Sequence, residues 1–283
     1  MDTVKKIDEL RSRLKEAYKK GKSVGLVPTM GFLHQGHLSL IKRAREKNDL
    51  VVVSLFVNPT QFGPGEDLES YPRDLKKDAD LCAAEGADIL FAPEAEEMYF
   101  EDYGTYVEVS GDLTKGLCGK SRPTHFRGVT SVVSKLFNIV DPDRAYFGQK
   151  DAQQVAVIKR MVRDLNFDVE IVVCPIVREA DGLAKSSRNI YLSEAERKAA
   201  LVLNRSLRAA AESISSGERN GNEIKAMVEK MIRQEPLSEI DYVEVVDAEN
   251  IKPIEKLKGR VLVALAVRFG KARLIDNIRL EVE

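Results

Sequence analysis

The sequence predicts an α/β fold: a Rossmann-like parallel sheet in the N-terminal part, followed by a smaller α+β domain with antiparallel strands. Three observations lead there. Short apolar runs alternate with amphipathic stretches from Val24 to Val173, the pattern of repeated βαβ units. One run, Leu50 to Val57, reads Leu-Val-Val-Val-Ser-Leu-Phe-Val. A nearly unbroken, largely β-branched run suits a strand buried on both faces, as in a parallel sheet. After Arg178 the texture changes to two amphipathic helical stretches and three strand-like runs with short connections, which suits antiparallel pairing. The expected domains are therefore residues 1–176 and 177–283.

Each element follows from local pattern. Val4 to Lys20 has helical periodicity, and Gly21 ends it. Val24 to Val27 is a strand, Leu38 to Asn48 a helix, and Leu50 to Val57 the buried strand stopped by Asn58-Pro59. Arg73 to Glu85 is helical and stops at Gly86; Ile89 to Phe91 and Tyr106 to Val109 are short strands. Val129 to Val140 is a helix, Arg144 to Phe147 a strand, Ala152 to Leu165 a helix and Asp168 to Val173 a strand. In the second part, Ser193 followed by Glu196 forms a capping box that opens a helix to Ser213, with Gly217 beyond it as a stop. Asn222 to Gln234 is a further helix, and Ile240 to Val246, Val261 to Val267 and Lys271 to Leu280 are strands.

Composition excludes several classes. Apolar residues make up 43% of the 283, enough for a sizeable core. Lys plus Arg is 44 and Asp plus Glu 45, a net charge of −1 without the basic excess of a nucleic-acid binder. The longest apolar runs are far too short to span a bilayer, and Met1 to Lys6 lacks the apolar core of a signal peptide. Cys82, Cys118 and Cys174 have no metal-type spacing. A cytoplasmic location is expected, with neither nucleic acid nor membrane as partner.

In parallel sheets, ligands gather at the carboxyl ends of strands, and the sharpest motifs, Pro28 to His37, Asn58 to Phe62 and Gly148 to Asp151, all follow strand ends. Pro28 to His37 places two of the chain's three histidines, His34 and His37, between a Gly-containing turn and a helix. A helix N-terminus has unpaired N–H groups that suit phosphate, and imidazoles add donors where charge builds on phosphoryl oxygens. Asn58 to Gly63 carries Gln61, able to read a hydroxyl or carboxylate, although the segment is equally a turn rich in helix and strand breakers. Gly148-Gln149-Lys150-Asp151 opens a helix: Gly148 permits close backbone approach, Lys150 supplies a mobile charge, and Asp151 is equally an N-cap. Of Gln153 and Gln154, which point to different sides of that helix, at most one lines a pocket. Lys185-Ser186-Ser187-Arg188 offers charges and hydroxyls for a triphosphate, and Arg122 to Gly128 places two guanidiniums before a helix.

Taken together, PTMGFLHQGH, NPTQFGPGEDLESYPRD, SRPTHFRGV, FGQKDAQQ and VREADGLAKSSRNIYLS resemble the pantothenate synthetase, or pantoate–β-alanine ligase, family of the nucleotidylyltransferase superfamily. The resemblance runs over essentially the whole chain. It implies ATP-dependent condensation of (R)-pantoate with β-alanine to pantothenate, releasing AMP and pyrophosphate through a pantoyl-adenylate. It implies catalytic roles for His37, as proton donor, His34 and Lys150. It implies ATP contacts for Met30, Gly31, His34, His37, Gly148, Lys150, Asp151, Val177, Lys185, Ser186, Ser187 and Arg188. Gln61, Gln154 and Arg122 are implied to hold substrate, Mg2+ to accompany ATP with Asp78 or Asp74 as carboxylates, and the assembly to be a homodimer. The C-terminal domain is expected to be a lid over a nucleotide-binding, catalytic N-terminal domain. Two positions depart from the family: Lys185 stands where Met or Leu is common, and Thr124 where Gly is common. A different adenylyl- or cytidylyltransferase, or a nucleotide-sensing or RNA-binding module, is the rival reading.

Overall fold

The computed structural model describes residues 1–283. In chain order the elements are β1 (Asp2–Val4), α1 (Ile7–Lys19), β2 (Val24–Thr29), α2 (Gln35–Arg45), β3 (Leu50–Leu55), α3 (Leu75–Ala84), β4 (Ile89–Phe91), α4 (Ala95–Met98), α5 (Cys118–Ser121), α6 (His125–Val140), β5 (Arg144–Gly148), α7 (Ala152–Asp164), β6 (Glu170–Cys174), α8 (Glu194–Ser215), α9 (Gly221–Arg233), β7 (Glu239–Asp247), β8 (Gly259–Phe269) and β9 (Ala272–Val282). No helix is long and apolar enough to cross a membrane.

The chain divides into two units. The first comprises Met1–Val109, Arg122–Gln149 and Val157–Pro175. Its sheet has six strands in the order β1-β4-β3-β2-β5-β6, all parallel. Strand β3 lies inside it, which is why its sequence shows no polar alternation. The apolar face of α2, with Leu38, Ile41 and Ala44, packs with Val27, Val51, Val53 and Tyr146 in one buried cluster.

Three local features differ from the sequence pattern. Val4 belongs to a strand, not to the first helix: Asp2–Val4 pairs with Ile89–Phe91, and α1 starts only after the Lys5-Lys6 pair, with Asp8 and Glu9 in its first turn. Residues 106–109 form no strand. The Val107 N–H donates to the Ser131 hydroxyl at 3.0 Å and its carbonyl accepts from Thr130, so hydroxyls of α6 satisfy the backbone that a ladder would otherwise pair. Helices α2 and α6 also begin earlier than their apolar faces suggest, at Gln35 and His125.

The second unit comprises Ser110–Ser121, Lys150–Ala156 and Ile176–Glu283. Its sheet is antiparallel in the order β7-β8-β9. Val261, Val263, Leu265 and Val267 of β8 pack in one cluster with Leu203, Leu207, Ile224 and Val228 of α8 and α9. The alternate residues Leu262, Ala264 and Ala266 face the other way and are buried too. On that side the sheet meets the two inserted segments: the Tyr242 hydroxyl lies 3.4 Å from Cys118 Sγ, and Asn277 donates to the Lys150 carbonyl at 2.9 Å. The Ser193–Glu196 capping box that opens α8 is formed in both directions.

Candidate active site

Strand order in the first unit reverses at β2, which has β3 on one side and β5 on the other. Pairing of β2 with β3 runs to Thr29↔Leu55, and that of β5 with β6 to Gly148↔Cys174. Between β2 and β5 it covers only Gly25↔Arg144 and Leu26↔Ala145. The carboxyl halves of these two central strands therefore part, and open the crevice where doubly wound sheets take their ligands. Met30 and Gly31 lie on one side of it and Gly148 ends the other.

The turn after β2 is built around a buried carboxylate. Gly31 and Phe32 both have left-handed backbones, φ 82° and 51°, a conformation that needs external support at a non-glycine residue. Asp78 of α3 supplies it: Oδ2 accepts the Phe32 N–H and Oδ1 the Leu33 N–H, both at 2.7 Å. Asp78 is 1% exposed. Burial pushes its carboxyl up, against the pull of the two N–H bonds. A Cβ on Gly31 would stand 3.0 Å from Asp78 Oδ2. Asp74 caps α3, accepting the Lys77 N–H at 3.1 Å. The structure thus gives both carboxylates proposed for magnesium another task. No group of three or more His, Cys, Asp or Glu side chains is arranged to hold a metal ion.

His34 and His37 form a capping box at the start of α2. His34 is the N-cap, and its Nδ1 accepts the Gly36 N–H at 3.1 Å. The His37 Nδ1 accepts the His34 N–H at 3.3 Å. The rings stack with centroids 4.0 Å apart. Since Nδ1 accepts in both rings, the proton of each neutral imidazole sits on Nε2. Two N–H donors are thus fixed at a helix N-terminus, where anions are favoured.

Gln61 ends a 3-10 turn, Pro59–Gln61, and is 8% exposed. Its Oε1 accepts from Asn58 Nδ2 at 3.1 Å, and its Nε2 lies 2.9 Å from the Met30 sulfur. Its carbonyl accepts from Arg122 at 3.3 Å and from His125 Nδ1 at 2.9 Å. Arg122 is itself held by Glu66 through a two-pronged pair at 2.7 and 2.5 Å, so it stands as a brace for the Gln61 turn. Burial pushes the Glu66 carboxyl up, but the hydrogen bonds and charge of Arg122 outweigh this and hold it below the usual carboxylate range. Gly128 lets α6 touch the turn: a Cβ there would lie 2.4 Å from the Thr60 carbonyl oxygen. Thr124 has φ −93°, open to any residue, so glycine is not required there.

The remaining residues lie in the second unit. Lys150 and Asp151 sit on the 3-10 turn Gln149–Asp151 that leads into α7. Gln153 is buried and structural, bonded to the Cys118 N–H and to the Leu113 and Gly116 carbonyls; Gln154 is the half-buried one of the pair. Val177 to Lys185 is a hairpin, with Arg178↔Ala184 bridged, Gly182 at φ 94° and the Lys185 N–H on the Val177 carbonyl at 2.9 Å. Lys185 Nζ pairs with Glu179 at 2.8 Å. Ser186 then caps the 3-10 turn Ser187–Tyr191, accepting the Arg188 N–H at 3.3 Å. Sequence reasoning gave no role to Asn58, Glu66, His125, Gly128 and Asn277. An Asn directly before Pro-Thr is a capping signal that was available; the others act through contacts distant in sequence.

A parallel sheet with a histidine-capped helix at its switch point is a Rossmann-like α/β architecture. The profile of the pantoate–β-alanine ligase family matches residues 2–279. The chain is 60% identical over 277 residues to the pantothenate synthetase of Clostridium acetobutylicum, covering 98% of each. Pantothenate synthetase from Thermus thermophilus superposes with a TM-score of 0.94 at 50% identity, covering 98% of this chain and 99% of that one. The Francisella tularensis pantoate–β-alanine ligase, solved in complex with β-γ ATP and β-alanine, superposes with a TM-score of 0.80 at 35% identity over 98% of this chain and 97% of that one. The chain belongs to the pantoate–β-alanine ligase family, and it is an enzyme.

Proposed function

We propose that the chain joins (R)-pantoate to β-alanine in two steps, forming pantoyl-adenylate and pyrophosphate from ATP and then pantothenate and AMP. The observation that carries this reading is the pair of imidazoles whose tautomers are fixed at the N-terminus of α2. The β-γ ATP and β-alanine in the complex of the Francisella relative support it. In the first step a pantoate carboxylate oxygen attacks the α-phosphorus and pyrophosphate departs. His34, His37 and Lys150 stabilise the charge that rises on the phosphoryl oxygens, a task for fixed donors rather than a covalent nucleophile. Met30, Gly31, Gly148, Asp151, Val177 and Lys185 to Arg188 complete the ATP contacts. Gln61 and Gln154 orient pantoate, with Arg122 bracing Gln61. In the second step the neutral β-alanine amine attacks the acyl carbon and AMP leaves. Magnesium would accompany ATP and supply counter-charge to its phosphates, with Asp78 or Asp74 as the candidate carboxylates. The assembly is a homodimer in this reading, which sedimentation equilibrium checks.

Incubation with ATP, magnesium, pantoate and β-alanine, with products identified by mass, tests the reaction. AMP, pyrophosphate and pantothenate are expected in equal amounts. Positional exchange of bridging oxygen label in ATP should require pantoate but not β-alanine. Stoichiometric ADP and phosphate would refute the adenylate route, and a retained nucleotidyl group would point to the rival transferases.

A further inference from the structure

Asp276 and Asn277 are consecutive residues of β9, 3% and 2% exposed. Strand interiors are normally filled by apolar side chains, and replacing a buried ion pair by apolar residues is often neutral or stabilising. A buried polar dipeptide therefore needs a reason beyond stability. Its bonds supply one. Both carboxylate oxygens of Asp276 accept from the Arg178 guanidinium, at 2.6 and 2.9 Å, and Oδ1 also accepts the Asn277 N–H at 2.8 Å. The same Arg178 fork donates to the Gly182 carbonyl at 3.1 Å. It thereby ties the tight turn of the 177–185 hairpin to the sheet. The hairpin runs directly into Lys185-Ser186-Ser187-Arg188. Successive side chains of a strand point to opposite faces, and the next residue engages a different segment: Asn277 Nδ2 donates to the Lys150 carbonyl at 2.9 Å.

We propose that Asp276-Asn277 is a positioning element for the ATP phosphates: Asp276, through Arg178, sets the hairpin that carries Lys185 to Arg188, and Asn277 sets the turn that carries Lys150. One rigid strand thus fixes the spacing of two phosphate-directed segments that lie far apart in sequence. Charge-bearing groups held by locked neighbours keep their geometry better than groups on free loops. The inference rests on the assignment of those segments to ATP made above.

The test uses the full-length protein with Asn277→Ala, Arg178→Lys and Asp276→Asn. Lysine keeps the charge beside Asp276 but loses the fork and its reach to Gly182. Losing one such hydrogen bond should raise the KM and Kd for ATP by about tenfold. The KM values for pantoate and β-alanine should stay within about twofold, with cooperative thermal unfolding retained. If Asp276→Asn fails to fold, the other two variants still decide. Equal changes in all three KM values, or an unchanged ATP affinity, would overturn the proposal. ATP affinity by calorimetry also separates it from the functional reading. Should wild type bind ATP yet make no pantothenate, the reaction assignment falls and the variants' ATP affinities still judge the dipeptide. Wild type that failed to bind ATP would overturn both.

Discussion

Gly128→Ala tests the placement of the Gln61 turn with a single methyl group. The new Cβ would stand 2.4 Å from the Thr60 carbonyl oxygen and 2.5 Å from the Gln61 Cα, where ordinary contact begins at 3.4 Å. Helix α6 and the turn must separate by about 1 Å, since both neighbours are backbone and no side-chain rotation relieves the overlap. The shift also strains the 3.1 Å bond from Asn58 Nδ2 to the Gly128 carbonyl. Overpacking of this kind costs about 1–3 kcal/mol, and the helix preference of Ala over Gly returns about 1 kcal/mol. The net loss of about 0–2 kcal/mol lowers Tm by no more than about 8 °C in a chain of this size. A misplacement of about 1 Å in a positioning group costs on the order of 10²-fold in rate. The expected result is a folded variant whose kcat/KM for pantoate falls about 10²-fold while KM for ATP changes less than about threefold. Steady-state kinetics with each substrate varied, beside a thermal melt, measures both. A folded variant with near-wild-type pantoate kinetics would refute the reasoning, as would a crystal structure showing Gln61 unmoved.

His37→Ala should slow pyrophosphate release on the order of 10²–10³-fold while circular dichroism is unchanged. His34→Asn should do the same yet keep the helix cap, because the amide oxygen can accept the Gly36 N–H, whereas His34→Ala should also cost about 1 kcal/mol of stability; equal melts for the two His34 variants would contradict the capping role. Lys185→Met removes a partly exposed pair with Glu179, worth under about 1 kcal/mol, and restores the residue common in the family, so turnover should persist; its abolition would contradict this. Glu66 is held below the usual carboxylate range by Arg122, against the upward push of burial. Its stabilisation is thus present above the unfolded value of about 4.3 and lost as pH falls through the folded value. Wild type and Glu66→Gln should differ in Tm at neutral pH and converge below about pH 4; a constant difference across that range would be inconsistent with the pair.

The fold was legible because its signals are local. The unbroken run of β3, the capping box of α8 and the change of texture after Arg178 each appear within a few residues of sequence, and each is seen in the structure. Val4 and residues 106–109 were misjudged because their backbone partners lie far along the chain: Ile89–Phe91 for β1, and the hydroxyls of Thr130 and Ser131 for Val107. At the candidate site, motif position points to His34, His37, Gln61 and Lys150, but not to the residues that hold them. Nothing near Asp78 in the sequence says that its carboxylate completes a turn 45 residues upstream. The pair that Arg122 makes with Glu66 is likewise invisible in the local sequence, because Glu66 is 56 residues away.

The geometry of the two histidines bears on how charge would be managed in the proposed first step. A proton donor to a leaving group works best as an imidazolium that returns to neutrality. Here each Nδ1 already accepts a backbone N–H, from Gly36 and from His34. Protonating either ring at Nδ1 would turn that acceptor into a donor facing a donor, break the capping box and leave an N–H without its partner, at a cost comparable to a lost hydrogen bond. The stacked rings, 4.0 Å apart, add like-charge repulsion if both ionise. Under the proposed reaction, neutral imidazoles held this way would stabilise negative oxygens through Nε2–H without surrendering the proton. The proton-donor role that the family resemblance implies for His37 would require protonation at the Nδ1 that accepts the His34 N–H. A neutral pair is compatible with the chemistry, because pyrophosphate is already a stable anion when it departs and needs charge stabilisation more than protonation. Locking both tautomers makes the helix start, its cap and the donors one unit, and that unit hangs on Asp78 through the Phe32 and Leu33 amides.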